Sequence, residues 1–158
     1  MDELEIAIAD PRTDDVRKLV VHHLKFGRLH SPPQDAHALA VDDLLDPAIT
    51  LYGIRCRGEL VAIGALKRIG DRHAELKTMH TAEHVRGHGI GRTMLDYLLA
   101  VARKRGFERV SLETGADEAF APAASLYMSA GFVPCEPFGD YRRSPNTAYM
   151  TMRLDDES

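Results

Sequence analysis

A chain of 158 residues is long enough to bury its own core, and no repeat, low-complexity stretch or long linker divides it, so a single domain over 1–158 is expected. Its 44% hydrophobic and 28% charged residues are an ordinary globular mixture, and a net charge of −4 without a clustered basic stripe argues against nucleic acid as a partner. The acidic start Met1-Asp2-Glu3-Leu4-Glu5 has no signal-peptide core and no apolar run approaches membrane length, which points to the cytoplasm and no membrane partner. Cys56 and Cys135 are far apart and are expected as free core thiols.

Leu4 to Ala9 alternates as an opening strand. A helix then begins at Asp10-Pro11 or Thr13 and runs to about Gly27 through Val16, Leu19, Val20 and Leu24, and Ser31-Pro32-Pro33 breaks the chain. A second helix is expected to carry Ala38, Val41, Leu44 and Leu45 before Asp46-Pro47. Ile49 to Cys56 and Leu60 to Lys67 are strands joined by the turn Arg57-Gly58-Glu59, and His73 to Thr81 completes an antiparallel set. His22, His23, His30 and His37, scattered through the first part, are read as surface or locally hydrogen-bonded groups.

The next segment concentrates chemistry. Arg86-Gly87-His88-Gly89-Ile90-Gly91-Arg92 packs three glycines and two arginines into seven residues between a strand and a helix. Glycines permit close backbone approach, and free amides at a helix start carry partial positive charge, so the segment reads as a pyrophosphate cradle. Ile90, Met94, Leu95, Leu98, Val101 and Ala102 recur at helical spacing, Arg103-Lys104-Arg105 suits the carbonyl end, and Gly106 stops a helix of about 89–105. Arg109 to Glu113 is a short strand, so the order strand, glycine loop, helix, strand suits two parallel strands joined by a crossover. A dinucleotide fingerprint fails, because the third glycine position of G-x-G-x-x-G falls on Arg92 or Met94, and no Gly-Lys-Ser/Thr of a Walker loop occurs. His80-Thr81-Ala82-Glu83-His84 fits H-x-x-E-H, the spacing of one class of zinc peptidase, with the histidines as ligands and Glu83 as base. That chemistry needs a helix, however, and these residues straddle a strand end and a turn, so no metal is expected.

Pro122 opens a short helix of about 121–130, with Ala123, Leu126, Tyr127 and Ala130 on one face and Gly131 as its stop, after which Phe132-Val133 resumes an extended run. Ala148 to Leu154 is the final strand.

Taken together, these motifs resemble the GCN5-related N-acetyltransferase (GNAT) superfamily. Arg86, Gly89 and Gly91 fill its Arg/Gln-x-x-Gly-x-Gly/Ala loop, and Ala123, Leu126, Tyr127, Gly131 and Phe132 match its A-x-x-L-Y-x-x-x-G-F segment, over about residues 74–134. More loosely, Glu113-Thr114-Gly115, the tail Pro137 to Tyr141, Asn146 and Met150 look like a bacterial group of small acetyltransferases. The resemblance implies an α/β fold of the α+β type, with a mixed, mostly antiparallel twisted sheet, a central parallel strand pair and flanking helices. It implies acetyl coenzyme A as co-substrate and an amine acceptor, whether small molecule, amino acid or protein amino group. The arm of the co-substrate would lie between the strands ending at Thr81 and Glu113. Main-chain groups around Met79, His80 and Thr81 would hold it, and Arg86, Gly87, His88, Gly89, Ile90, Gly91 and Arg92 would bind the pyrophosphate.

The same resemblance implies direct attack by the amine in a ternary complex, with no protein nucleophile. Tyr127 matches the family position that protonates the departing thiolate. An alkylamine with a pKa of about 10 must lose a proton first, and Glu113 is the first candidate base, with Glu75 as its alternative. The acceptor pocket falls near the early helices, with His30 and His37 as lining groups. Tyr141, Arg142, Arg143 and Asn146 lie within reach, and Lys77 or an arginine could match an acceptor carboxylate. Many members pair, which leaves a homodimer open. The alternative from another class is an acyl coenzyme A sensor or interaction module without turnover, with zinc hydrolysis by His80, Glu83 and His84 a distant third.

Overall fold

A computed structural model describes residues 3–33 and 39–154. Strands β1 (Leu4–Ile8), β2 (Ile49–Cys56), β3 (Glu59–Gly70), β4 (His73–Thr81), β5 (Arg109–Gly115), β6 (Val133–Pro134) and β7 (Thr147–Arg153) form one seven-stranded sheet in the order β1-β2-β3-β4-β5-β7-β6. Every neighbouring pair is antiparallel except β4 and β5, the expected parallel pair, which the 15-residue helix α2 (Ile90–Lys104) connects. Two more helices, α1 (Asp14–His30) and α3 (Ala121–Ala130), flank it. Among the described residues no helix is long and apolar enough to cross a membrane.

The boundaries follow local chemistry. α1 passes straight through Gly27 and stops only where Ser31, extended at φ −136° and ψ 144°, precedes Pro32; proline bars the helical conformation to the residue before it. The second early helix does not form as expected. Ala38 and His37 lie outside the described residues, and the chain beyond them forms only a 3-10 turn, Asp42–Leu45. Asp43 accepts from the Ala40 amide at 3.1 Å and Asp46 from the Ala48 amide at 2.8 Å, local bonds that compete with a longer helix. α2 keeps its predicted apolar stripe: Ile90, Met94, Leu95, Leu98 and Ala102 are buried. Cys56 and Cys135 are free but only partly buried, at strand ends rather than in the core.

Two features of β4 position the site. Ladder pairing with β5 covers only His73↔Arg109 through Leu76↔Leu112, although β4 continues to Thr81 and β5 to Gly115. The strands therefore part beyond Leu76 and Leu112 and open a wedge in the middle of the sheet. Against β3, Ile63 faces His80 but Ala65 faces Lys77, so three residues of β4 span what two span on β3. This is a bulge, and Thr78 within it sits at φ 55°, a conformation seldom adopted by a β-branched residue. An extra residue resets the alternation of side chains. Met79 packs on the α2 face beside Met94 and Leu98, while His80 contacts His23 of α1 on the other.

Gly64 is the tight point of the α2 face, since a Cβ there would lie 2.9 Å from Leu98 Cδ1, Met79 Sδ and Met94 Cγ. Gly64→Ala is expected to destabilise the fold by about 1–3 kcal/mol through overpacking. That corresponds to a fall in Tm of roughly 2–10 °C in a thermal melt.

Candidate active site

β4 ends at Thr81 and the chain turns through a short 3-10 segment, Glu83–Val85, anchored by buried Val85. Gly87 and Gly89 take φ 85° and 77°, which only glycine adopts freely, and a Cβ on either would meet nothing within 4 Å. Their backbone is thus open to approach. Gly89 is the N-cap of α2 without a side-chain cap, and the first helical bond runs from the Thr93 amide to the Gly89 carbonyl at 3.0 Å. The amides of Ile90, Gly91 and Arg92 precede that bond and sit at the positive end of the helix dipole. Ile90 offers only its main chain, since its side chain is in the core.

The charged members of the loop behave differently from one another. Arg86 donates from Nε to the Thr81 carbonyl at 3.1 Å, tying the loop back to the strand end. Arg92 turns along its helix to Asp96 at 2.9 Å and reaches Ser129 of α3 at 3.3 Å. It couples two helices while still lining the cleft, where the sequence pattern expects an anion-binding group. His88 is exposed and does not line the cleft.

From this loop a cleft of about 610 Å³ follows the wedge to the C-terminal half of α1. Tyr127 of α3 lies in its wall, 7% exposed, with its ring 5.9 Å from that of Phe132. Burial, then the charge of Glu113, push its phenol well above the usual tyrosine range, so it stays protonated. Glu113, on the separated part of β5, accepts a hydrogen bond from the Thr147 hydroxyl and lines the cleft.

Glu75 is in a different situation. It is 4% exposed, and its Oε2 accepts from Tyr141 Oη at 2.5 Å and Lys77 Nζ at 3.1 Å, while Lys77 also donates to Tyr141 Oη at 2.8 Å. Burial and the neighbouring Glu75 carboxylate raise the Tyr141 phenol far above its ordinary value. This closed triad pins the segment before β7 onto the sheet, with Phe138, Tyr141 and Tyr149 stacked edge to face or tilted around it. Of the residues expected near the acceptor, Arg142 accepts at its carbonyl from Tyr149 Oη, and Arg143 and Asn146 are exposed. His30, half-buried, packs on Phe26 and Phe120, whose ring abuts Gly115 so closely that any Cβ there would collide with it. His37 lies outside the described residues.

One pair is illegible in the sequence. His23 of α1 and His80 of β4 bring their Nδ1 atoms to 3.3 Å in the cleft wall, against the reading of His23 as a surface or locally bonded group. The partners are 57 positions apart, and the bulge that turns His80 toward α1 has no spacing signature. Burial, then Lys77, lowers the His23 pKa to about 4; burial, then His23, Arg86 and His22, lowers that of His80 to about 3. The H-x-x-E-H residues are dispersed by the same geometry. Glu83 and His84 are exposed on the 3-10 turn, where His84 lies 3.5 Å from Glu59, and the described residues contain no group of three metal-ligating side chains.

Comparison with known proteins agrees with this geometry. Residues 15–132 match the family described as acetyltransferase (GNAT) family. The uncharacterized N-acetyltransferase YsnE of Bacillus subtilis is 43% identical over 96% of this chain and 100% of its own length. The uncharacterized N-acetyltransferase YedL of Escherichia coli is 38% identical over 90% of this chain and 93% of its own. In fold, the chain superposes on a GNAT family acetyltransferase from Elizabethkingia anophelis with acetyl-CoA bound, with a TM-score of 0.73 and 18% identity, over 98% of this chain and 100% of that one.

The histidine pair makes stability depend on pH. Both folded pKa values lie below that of an unfolded histidine, about 6.5, so the unfolded chain binds more protons between pH 6.5 and about 3–4. Their contribution is complete above pH 6.5 and is lost on acidification through that window, by at most about 1.4 kcal/mol per pH unit for each ring. Denaturant titrations at pH 7 and 5 are expected to give a lower midpoint at pH 5, and His80→Gln should shrink the difference.

Proposed function

Because the chain belongs to the acetyltransferase (GNAT) family, and is therefore an acyltransferase drawing on acetyl-CoA, we propose that it moves the acetyl group to a primary amine by direct attack in a ternary complex. The observation that carries this reading is the wedge between β4 and β5, which joins an uncapped glycine loop to a wall holding Tyr127 and Glu113.

The loop fits a pyrophosphate on physical grounds. Positive φ at Gly87 and Gly89 turns the chain, open space above both lets phosphate oxygens reach the backbone, and the first amides of α2 donate. Arg86, Gly87, Gly89, Ile90 and Gly91 form this cradle, with His88 and Arg92 at its rim. Beyond Leu76, β4 has lost its ladder partner on the β5 side, so main-chain groups of Met79, His80 and Thr81 are available to the amide-bearing arm. One such amide, fixed before the reaction begins, can stabilise the oxyanion formed as the amine adds to the thioester carbonyl.

Proton transfer falls to two side chains. Glu113 accepts a proton from the attacking nitrogen, and Tyr127, held neutral by burial and by that same carboxylate, donates one to the departing thiolate. Glu75 is the less suitable base, because its carboxylate is occupied by Tyr141 and Lys77; its role is to hold the segment that closes the acceptor side. Neither Cys56 nor Cys135 lines the cleft, consistent with transfer without an acyl-enzyme. Residues 1–158 would act as one cytoplasmic domain, without nucleic-acid or membrane partners, alone or as a homodimer.

Tyr127→Phe is expected to lower kcat by about 100-fold while acetyl-CoA affinity stays within about twofold, since the hydroxyl matters at thiolate departure. Gly91→Val is expected to do the reverse, weakening acetyl-CoA binding by at least about tenfold, or ~1.4 kcal/mol. Its Cβ would already lie 3.4 Å from Leu126. Calorimetric binding and thiol release against a mixed amine panel test both; unchanged turnover in Tyr127→Phe, with chemistry rate-limiting, would exclude the acid role.

A further inference from the structure

The transfer chemistry leaves one proton without a destination. An alkylammonium gives up two protons in becoming an amide. The first leaves before attack; the second leaves the nitrogen as the C–N bond forms and the C–S bond breaks. Glu113, which Tyr127 senses electrostatically, takes the second, and Tyr127 supplies one to sulfur and is restored from it. The first is surplus and has to reach solvent.

The cleft wall contains a group suited to that task. With Nδ1 atoms 3.3 Å apart, one of His23 and His80 must carry hydrogen at Nδ1 and the other must accept it, because two bare or two protonated nitrogens would repel. The donor ring then has a bare Nε2, and the acceptor ring carries its hydrogen on Nε2. A proton entering at the bare Nε2 drives the shared hydrogen across, and a proton leaves from the far Nε2. His23 is within electrostatic reach of the mostly buried Lys77, and His80 within that of the exposed Arg86 and His22. The pair thus runs from the interior of the cleft toward its rim.

We propose that the His23–His80 pair is the exit relay for the proton that the acceptor ammonium sheds before attack, an inference that rests on the acetyl-transfer reading. His23 receives the proton at Nε2, the Nδ1 hydrogen passes to His80, and His80 releases its own. Once product has left, His23 Nε2 gives its hydrogen to water in the open cleft, the shared hydrogen returns, and His80 Nε2 takes one from solvent, which restores both tautomers with no net proton moved. Both rings are neutral near pH 7, the state a relay needs, since a charged pair would block entry.

The test compares ethylamine, charged at about pH 7, with trifluoroethylamine, which is already neutral there and has no first proton to lose. In His23→Gln and His23→Phe, kcat/KM for ethylamine is expected to fall about 100-fold at pH 7 and to recover as pH rises toward the amine's own pKa. Trifluoroethylamine should lose less than about threefold, and acetyl-CoA affinity, measured by calorimetry, should be unchanged. Equal losses on both amines, no loss on either, or loss of acetyl-CoA binding in both variants would overturn the relay alone. A wild-type protein that binds acetyl-CoA and acetylates neither amine at any pH would overturn the acetyl-transfer reading and the relay with it.

Discussion

A single extra residue in β4 organises the centre of this molecule. Thr78 is held at φ 55° with its hydroxyl buried and without a hydrogen-bond partner among the described residues. Such a conformation costs about 1–3 kcal/mol and persists only where the surroundings enforce it. Here enforcement comes from both sides: β3 pairs with β4 before and after the bulge, and Met79 is packed against α2. The consequence is geometric. Lys77 and His80, three apart, come to face α1 with Glu75, while Met79 joins the apolar α2 face. The part of β4 that carries the bulge is also the part that has left β5.

The two sides of the sheet consequently have different chemistry. Toward α2 the central strands present Ala74, Leu76, Val110 and Leu112, all at most 3% exposed, which hold the helix whose first turn is proposed to bind the anion. Toward α1 and the segment before β7 they present Glu75, Lys77, His80, Ser111 and Glu113. Polar groups at that depth have to be satisfied, and apart from the Thr78 hydroxyl they are: Glu75 by Tyr141 and Lys77, Ser111 by His73 and Thr151, His80 by His23. The apolar face supplies rigidity, and the polar face supplies a graded set of proton donors and acceptors whose charges are set by mutual contact.

The sequence exposes these two faces unequally. α2 and α3 are readable because helical periodicity and their glycine stops are local, and the parallel pair follows from the order of strand, loop, helix and strand. The loop proposed as a cradle is readable for the same reason: its shape is set by positive φ at Gly87 and Gly89, and such backbone shape is written as glycine. Legibility fails where side chains are decided by distant partners. Nothing local in the sequence shows Glu75 meeting Tyr141, 66 positions away, or Arg92 meeting Ser129, 37 positions away, although both residues also line the cleft. His23 looks solvated until the bulge delivers His80. The early second helix fails differently, through aspartate bonds to nearby amides that favour a short turn over a longer helix.

This asymmetry bears on how such a domain can change its acceptor without losing its donor. The donor site proposed here consists of amides and torsion angles, so most side-chain substitutions around it would leave it intact, and the few that would matter are at Gly87, Gly89 and Gly91. The acceptor side, on the same proposal, would be assembled from α1, the turn carrying Phe120 and the segment that Tyr141 pins down, three stretches that meet only in the fold. Each can vary while the bulge, the wedge and α2 stay fixed. The donor is therefore legible from one stretch of chain, whereas the acceptor is specified by contacts between stretches, and contacts of that kind carry no linear signature.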